Sequence, residues 1–169
     1  MLYRRFCQFI KRENLLLAGE NLIIGISGGP DSVALGHLFK RWQKEHGGTI
    51  VAGHVNHLLR AAAIQEAQLT ARLCAEWDWP CHIAEIDVKT LCEQSGSSLQ
   101  AIAREERLVF FQTLSAQYRI TKLALGHQAD DQTETILFWL LRGCGIGALP
   151  PRSAAHRLCS RLGRIRSGP

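Results

Sequence analysis

The residues with the clearest chemical pattern form a loop between a predicted strand and a predicted helix: Ser27, Gly28, Gly29, Pro30, Asp31 and Ser32. Gly28 and Gly29 can adopt positive φ and bring the backbone close to an anion, while hydroxyls and free helix-start amides can donate to phosphate oxygens. The loop lacks the lysine of the G-x-x-x-x-G-K-S/T phosphate loop. Asp31 instead suggests a divalent cation that offsets phosphate charge. An ordinary tight turn would use the same residues, so both interpretations stay open from the loop alone.

Two further polar segments, "HVNHLLR" at 54–60 and "GHQADDQTE" at 126–134, also follow predicted strands. In a doubly wound sheet, ligands bind beyond the carboxyl ends of the strands, so we expect the three segments to converge on one edge. We predict that His57 and His127 contact a phosphate or a base. His54 is equally consistent with structural packing. Magnesium seldom takes imidazole ligands, so these histidines are not expected to bind it.

Two pairs of charged residues could act on ligands at this edge. Asp131 and Glu134 lie three residues apart and would share one face of a helix, where they could capture an ammonium group. Acidic residues are also favoured at helix starts by the helix dipole, so a structural role stays open. Arg104 and Arg107 lie one helical turn apart, and an internal ion pair is the alternative to a phosphate contact for one of them.

The elements that must position these residues follow from the hydrophobic pattern. We predict helices over 2–17, 32–46, 64–77, 97–118 and 130–142, and strands over 22–26, 49–55, 81–88 and 122–127. Strands that alternate with helices of this length indicate βαβ units. The predicted fold is therefore α/β, with a doubly wound, mostly parallel sheet and helices on both faces.

Composition limits the broad class of protein. The chain has 169 residues, of which 46% are hydrophobic and 21% charged, which suits one folded domain. No apolar run approaches the roughly 20 residues that span a bilayer, so we expect a cytoplasmic protein without a membrane segment. None of the six cysteines forms a C-x-x-C pair, which favours reduced thiols. The net charge of +5 lies in residues 152–169, which hold five arginines and no acidic residue and could contact phosphates or simply be solvated.

With its neighbours, the loop resembles a known enzyme family. "SGGPDS" is similar to the signature of the PP-loop ATP pyrophosphatases, which cleave ATP between the α- and β-phosphates. The segments "HVNHLLR", "LQAIAREERLVFF" and "LALGHQADDQTETILFWLLRGCGIGAL" resemble the N-terminal catalytic domain of tRNA(Ile)-lysidine synthetases. The resemblance covers residues 20–151.

The resemblance implies a two-step reaction. ATP activates the C2 oxygen of the wobble cytidine of a tRNA(Ile) with a CAU anticodon, and free L-lysine then displaces AMP. The implied cofactors are ATP and Mg²⁺, and a homodimer is one possible assembly. The implied ATP contacts are Ser27, Gly28, Gly29, Pro30, Asp31, Ser32, His57 and His127, with magnesium at Asp31. The implied lysine contacts are Asp131 and Glu134, and the implied catalytic residues are Asp31, Arg104, Arg107 and Arg142.

The chain departs from the family pattern at two places. "AAAIQE" follows Arg60 where members often have acidic residues, and the match fades at Pro151 where members continue into further domains. We therefore predict a catalytic domain over 1–151 and a basic, disordered tail over 152–169, as a truncated or frameshifted product would have. Two alternatives stay open: another PP-loop enzyme, such as a tRNA thiolase or an amide-forming synthetase, or a nucleotide-binding remnant without turnover.

Overall fold

Five helices and a four-stranded parallel sheet make up most of the computed structural model, which describes residues 1–59, 62–128 and 136–137. The helices are α1 (Leu2–Arg12), α2 (Pro30–His46), α3 (Ala62–Glu76), α4 (Val88–Ser95) and α5 (Leu99–Tyr118). The main strands are β1 (Leu22–Gly25), β2 (Ile50–Asn56), β3 (Cys81–Glu85) and β4 (Leu123–Leu125). Two short antiparallel strands, β5 (His127–Gln128) and β6 (Ile136–Leu137), form a separate pair.

The sheet is doubly wound. Its strand order is β3-β2-β1-β4, so the chain moves outward from β1 to β3 and then crosses back to place β4 on the other side of β1. All three pairings in this sheet are parallel. The carboxyl ends of β1 and β4 therefore flank the topological switch point, where open α/β sheets bind their ligands.

Alternating side chains of β1 supply the core on both faces of the sheet. Leu22 and Ile24 pack into one cluster with α1, α2 and α3, where the largest buried side chains include Phe39 and Trp42. Ile23 lies on the opposite face, in a second cluster with Phe111 of α5. Every apolar residue of β1 is fully buried, as expected for a strand covered by helices on both sides. The predicted α/β fold class is confirmed.

Several predicted boundaries are wrong, and local capping explains most of the differences. Helix α1 ends at Arg12 rather than 17, because the chain turns through Asn14 at φ +50°. Helix α2 begins at Pro30 rather than 32, since proline suits the first helical position. The strand predicted over 81–88 ends at Glu85, because Asp87 caps α4 by accepting a hydrogen bond from the Thr90 amide at 3.2 Å.

The helix predicted over 130–142 lies almost entirely outside the described residues. Its two described residues, Ile136–Leu137, pair with His127–Gln128 in an antiparallel arrangement and are therefore extended rather than helical. A short apolar run does not by itself distinguish a strand from a buried helix, so the prediction is wrong for these two residues and stays a prediction for the others.

Candidate active site

The predicted phosphate loop lies between the carboxyl end of β1 and the first turn of α2. Gly28 has φ +82°, whereas Gly29 caps the helix with φ −75° and ψ 159°. The expectation of positive φ is thus met by Gly28 alone, because a residue that caps a helix start takes an extended backbone. The amides of Asp31 and Ser32 lie in the first helical turn, where α-helices present N–H groups that lack an intrahelical acceptor.

Gly28 is required at its position for a second reason. A Cβ atom built on it would lie 2.9 Å from Cβ and 3.1 Å from Cα of Glu66. Helix α3 therefore packs directly onto the loop backbone. No sequence pattern pointed to Glu66, because its contact with Gly28 joins two segments that are distant in the chain.

The Ser32 hydroxyl holds the loop in shape. Ser32 is only 1% exposed, and its Oγ donates to the carbonyl oxygen of Gly29 at 2.9 Å. The same oxygen accepts from the Ser27 amide at 3.1 Å and lies 3.1 Å from the Ser27 hydroxyl. In this geometry Ser32 positions the loop backbone, while the Ser27 side chain remains exposed to solvent.

The carboxyl end of β4 closes the other side of the loop. A Cβ atom at Gly126 would lie 3.1 Å from Cα and 3.3 Å from N of Ser32. The missing side chain lets the strand end approach the start of α2. The switch point between β1 and β4 is therefore occupied by the loop backbone.

A cavity of about 230 Å³ opens beside the loop, above the carboxyl ends of β1 and β2. Its lining combines apolar side chains with polar groups from β2, α3, α5 and the loops that follow β1 and β2. The residues that line it are Gly25, Ile26, Ser27, Gly53, His54, Val55, Asn56, His57, Leu59, Ala63, Glu66, Arg107, Phe111, Leu125 and Gly126. Three of the predicted site residues, Ser27, His57 and Arg107, thus meet at one cavity.

Three polar side chains on this cavity carry buried atoms that have no hydrogen-bond partner. They are Nε2 of His54, Nδ2 of Asn56 and Nδ1 of His57. His54 is 3% exposed and Asn56 is 2% exposed. Each unpartnered buried atom is destabilising by about 1–3 kcal/mol, which a ligand with matching donors and acceptors would relieve.

His54 also has a structural contact. Its Nδ1 lies 2.7 Å from the carbonyl oxygen of Ile26, so Nδ1 carries the proton and the ring links β2 to the end of β1. This contact supports the packing interpretation that the sequence left open for His54. The Nδ1 atom joins the two strands, whereas Nε2 of the same side chain has no hydrogen-bond partner.

Helix α5 contributes the positively charged Arg107 to the lining of the cavity. Burial and the nearby charge of Arg104 lower the pKa of the Arg107 guanidinium, which nevertheless stays protonated at neutral pH. Burial, Arg107 and His54 lower the pKa of the His57 imidazole below its usual value. An anion bound here would reverse both effects, because it would favour the charged forms. Arg104 is exposed and does not line the cavity.

Several predicted site residues lie outside the described residues. They are Asp131, Glu134 and Arg142, and the side chain of His127 also lies outside. Within 1–59 and 62–128, no group of three or more His, Cys, Asp or Glu side chains converges on a possible metal position. Asp31 is half-buried beside the loop. A single carboxylate beside a phosphate loop fits Mg²⁺, which commonly binds through one or two carboxylates, phosphate oxygens and water.

The family of the chain follows from a match to the model of the PP-loop domain, which covers residues 2–164. The chain belongs to the PP-loop family. Membership supports ATP as the nucleotide of this domain. Among the described helices, none combines the length and apolar character that a membrane crossing requires.

Curated relatives of this PP-loop domain include tRNA(Ile)-lysidine synthases. The protein of Clostridium perfringens strain 13 is 33% identical over 147 residues, which are 86% of this chain and 31% of that protein. The protein of Geobacillus kaustophilus is 38% identical over 152 residues, which are 88% of this chain and 33% of that protein. The chain thus spans about a third of the length of these relatives.

Solved structures confirm the fold alone. An NH3-dependent NAD synthetase from Campylobacter jejuni superposes with a TM-score of 0.54 at 23% identity, over 72% of this chain and 53% of that one. A U34-tRNA thiolase from Methanococcus maripaludis superposes with a TM-score of 0.59 at 18% identity, over 75% of this chain and 44% of that one.

Proposed function

We propose that this PP-loop domain uses ATP to activate the C2 oxygen of the wobble cytidine of tRNA(Ile) for attack by free L-lysine. The observation that carries the proposal is the meeting of the phosphate loop with Arg107 and His57 at one cavity, in a chain similar to tRNA(Ile)-lysidine synthases. The resulting enzyme is a ligase that forms a carbon–nitrogen bond.

The reaction has two displacement steps. The cytidine O2 attacks the α-phosphorus of ATP, the bond to the β-phosphate oxygen breaks, and pyrophosphate leaves. The lysine amine then attacks C2, the C2–O bond breaks, AMP leaves, and the amine loses a proton to solvent. A loop without a lysine suits the first step, since it must release pyrophosphate rather than transfer a γ-phosphate.

Residues of this chain account for charge and orientation in the first step. The amides at the start of α2 bind phosphate oxygens, and Ser32 keeps those amides in place through Ser27 and Gly29. Arg107 and His57 line the cavity beside the loop, where they would stabilise the negative charge that develops on the activated phosphate. Mg²⁺ bound at Asp31 would offset pyrophosphate charge.

The second step draws on residues beyond the described part of the chain. Asp131 and Glu134 would hold the lysine ammonium group, and Arg142 and His127 would contact the phosphates. Arg104, exposed on α5 one turn before Arg107, would contact the tRNA backbone. A tRNA(Ile) with a CAU anticodon is the proposed partner.

Turnover by the 169-residue chain tests the proposal. The chain is incubated with ATP, Mg²⁺, labelled lysine and a tRNA(Ile) transcript that carries CAU, and AMP release and lysine incorporation are followed. We expect both products, and neither with a transcript whose wobble cytidine is replaced by uridine. Asp31→Asn should abolish both, whereas the control Asp78→Asn, which lies just beyond α3, should abolish neither.

Other outcomes contradict the proposal in distinct ways. AMP release that depends on ammonia or a sulfur donor instead of lysine would indicate another PP-loop reaction. ATP binding without AMP under any of these conditions would indicate a remnant without turnover. Full activity of Asp31→Asn would remove the role given to the loop.

A further inference from the structure

We propose that one face of helix α1 binds the phosphate backbone of an RNA, an inference that rests on the proposed action on tRNA. This basic face consists of five exposed side chains: Arg4, Arg5, Gln8, Lys11 and Arg12. On an α-helix these positions fall within an arc of about 120° around the axis, so they form one continuous surface. Helix α1 contains no acidic residue, and all charge on this face is therefore positive.

Positive charge in the first 128 residues is concentrated on this helix. Residues 1–12 contain four arginine and lysine side chains and no acidic one, whereas residues 13–128 contain ten basic and twelve acidic side chains. The rest of this part of the chain thus has no net positive charge. A polyanion that approaches it is attracted to the basic face of α1.

Folding of α1 does not account for these charges. The opposite side of the helix supplies the core, where Ile10 is 0% exposed and Phe6 is 5% exposed. Arg4 and Arg5 lie in the first helical turn, where the helix dipole disfavours cations. Within the described part of the chain, Arg4, Arg5 and Lys11 have no ion-pair partner. Charges that oppose local stability without compensation are typical of a surface that meets a ligand.

The buried apolar side of α1 distinguishes between two classes of partner. A basic amphipathic helix that lies on a bilayer inserts its apolar side into the lipid. In this structure that side is occupied, because Phe6 packs edge-on against Phe39 of α2 with ring centroids 5.0 Å apart. The surface that remains presents mainly guanidinium and ammonium groups, which are the usual donors to nucleic-acid phosphates. RNA therefore fits this surface better than a membrane.

Three of the four cations are unpaired and can contact phosphates. Nε of Arg12 lies 2.7 Å from Oε1 of Glu13 and is already paired. Arg4 and Lys11 are seven residues apart, so two helical turns of about 10.5 Å separate them along the axis, and Arg5 lies beside Arg4. Each phosphate contact contributes about 0.7–0.9 to the slope of log affinity against log salt concentration. The basic face should therefore contribute about 2–3 to that slope.

RNA binding by the 169-residue chain tests the inference. A labelled tRNA(Ile) transcript that carries CAU and an unrelated tRNA transcript are titrated without ATP or lysine, between about 50 and 200 mM salt. The combined variant Arg4→Gln, Arg5→Gln and Lys11→Gln should bind both RNAs at least about tenfold more weakly, with a slope lower by about 2–3. Both RNAs should respond alike, because phosphate contacts do not read sequence. The charge-conserving variant Arg4→Lys, Arg5→Lys and Lys11→Arg should bind like the unmodified chain.

A matched control removes the same net charge from other elements. Arg72→Gln on α3, Lys89→Gln on α4 and Arg119→Gln after α5 all change exposed side chains, and together they should alter RNA affinity by less than about threefold. The arginine-rich residues 152–169 are present in every variant, so they cannot cause a difference between them. The α1 variant should also unfold at no lower temperature than the unmodified chain, since it loses cations from the helix start.

Several outcomes would overturn the inference. Equal affinity and salt slope in the α1 variant and the unmodified chain would do so, and so would equal losses in the α1 and control variants. Weaker binding of the α1 variant to phosphatidylserine vesicles, with unchanged RNA affinity, would assign the face to a membrane instead. ATP affinity separates the two proposals: normal ATP binding with RNA binding that does not depend on α1 overturns this inference alone. Failure of the unmodified chain to bind any RNA would overturn the proposed function as well.

Discussion

Replacement of Gly28 by alanine tests the geometry of the phosphate loop most directly. At φ +82° an L-residue is disfavoured by about 1–2 kcal/mol. The new Cβ would also lie 2.9 Å from Cβ of Glu66, so helix α3 or the loop must shift, which typically costs about 1–3 kcal/mol. We expect Gly28→Ala to lower the free energy of unfolding by about 2–5 kcal/mol in total. Single domains are commonly stable by about 5–15 kcal/mol, so the variant should still fold.

Gly19 offers a matched control for the energetic cost of placing alanine at a positive φ. Its φ is +79°, and no atom lies within 4 Å of a Cβ built on it. Gly19→Ala should therefore cost about 1–2 kcal/mol, and the difference between the two variants isolates the contact with Glu66. Urea unfolding followed by circular dichroism measures both values.

Nucleotide affinity completes the test of Gly28. A shift of the loop moves the amides that would hold the phosphates, so Gly28→Ala should weaken ATP binding at least tenfold, whereas Gly19→Ala should leave it unchanged. Equal destabilisation by the two variants, together with normal ATP binding by Gly28→Ala, would refute the close packing of α3 on the loop.

Three further predictions follow from the site. Ser32→Ala should lower the free energy of unfolding by about 1–3 kcal/mol in urea titrations, because Ser27 and Gly29 lose a buried partner, while the exposed Ser95→Ala should cost under about 0.5 kcal/mol. The pKa of His57 is lowered in the folded chain, so the unfolded chain binds more protons once the pH falls below about 6.5. The stability that the neutral His57 contributes is therefore complete above that pH, and it is lost as the pH falls toward the pKa of the folded chain. His57→Gln should flatten that loss, and the pKa of His57 measured by NMR should rise when ATP binds. Arg107→Ala should weaken ATP binding about tenfold or more in calorimetry, and Arg104→Ala under about threefold, since only Arg107 lines the cavity; equal effects would contradict this.

Much of the fold could be predicted from local patterns. The wholly apolar β1 followed by a glycine-rich loop and a helix is a local signal, and the structure confirms it with a shift of two residues at the start of α2. Helix α4 was missed although Asp87 and Gly96 mark its two ends, because the alternation of the preceding strand was extended across its cap. The capping residues that mark α4 are themselves local, so the sequence alone could have located this helix.

Tertiary structure alone decided how the site residues meet. Arg104 and Arg107 share one face of α5, so no periodicity could say that Arg107 lines the cavity while Arg104 faces solvent. Glu66 reaches the loop only because β1 and β2 pair in a parallel register that brings α3 over Gly28. The sequence by itself determined the α/β class, the phosphate loop and the family resemblance, since these depend on neighbouring residues. The partners of that loop depend on contacts between distant segments, which only the packed sheet and its helices define.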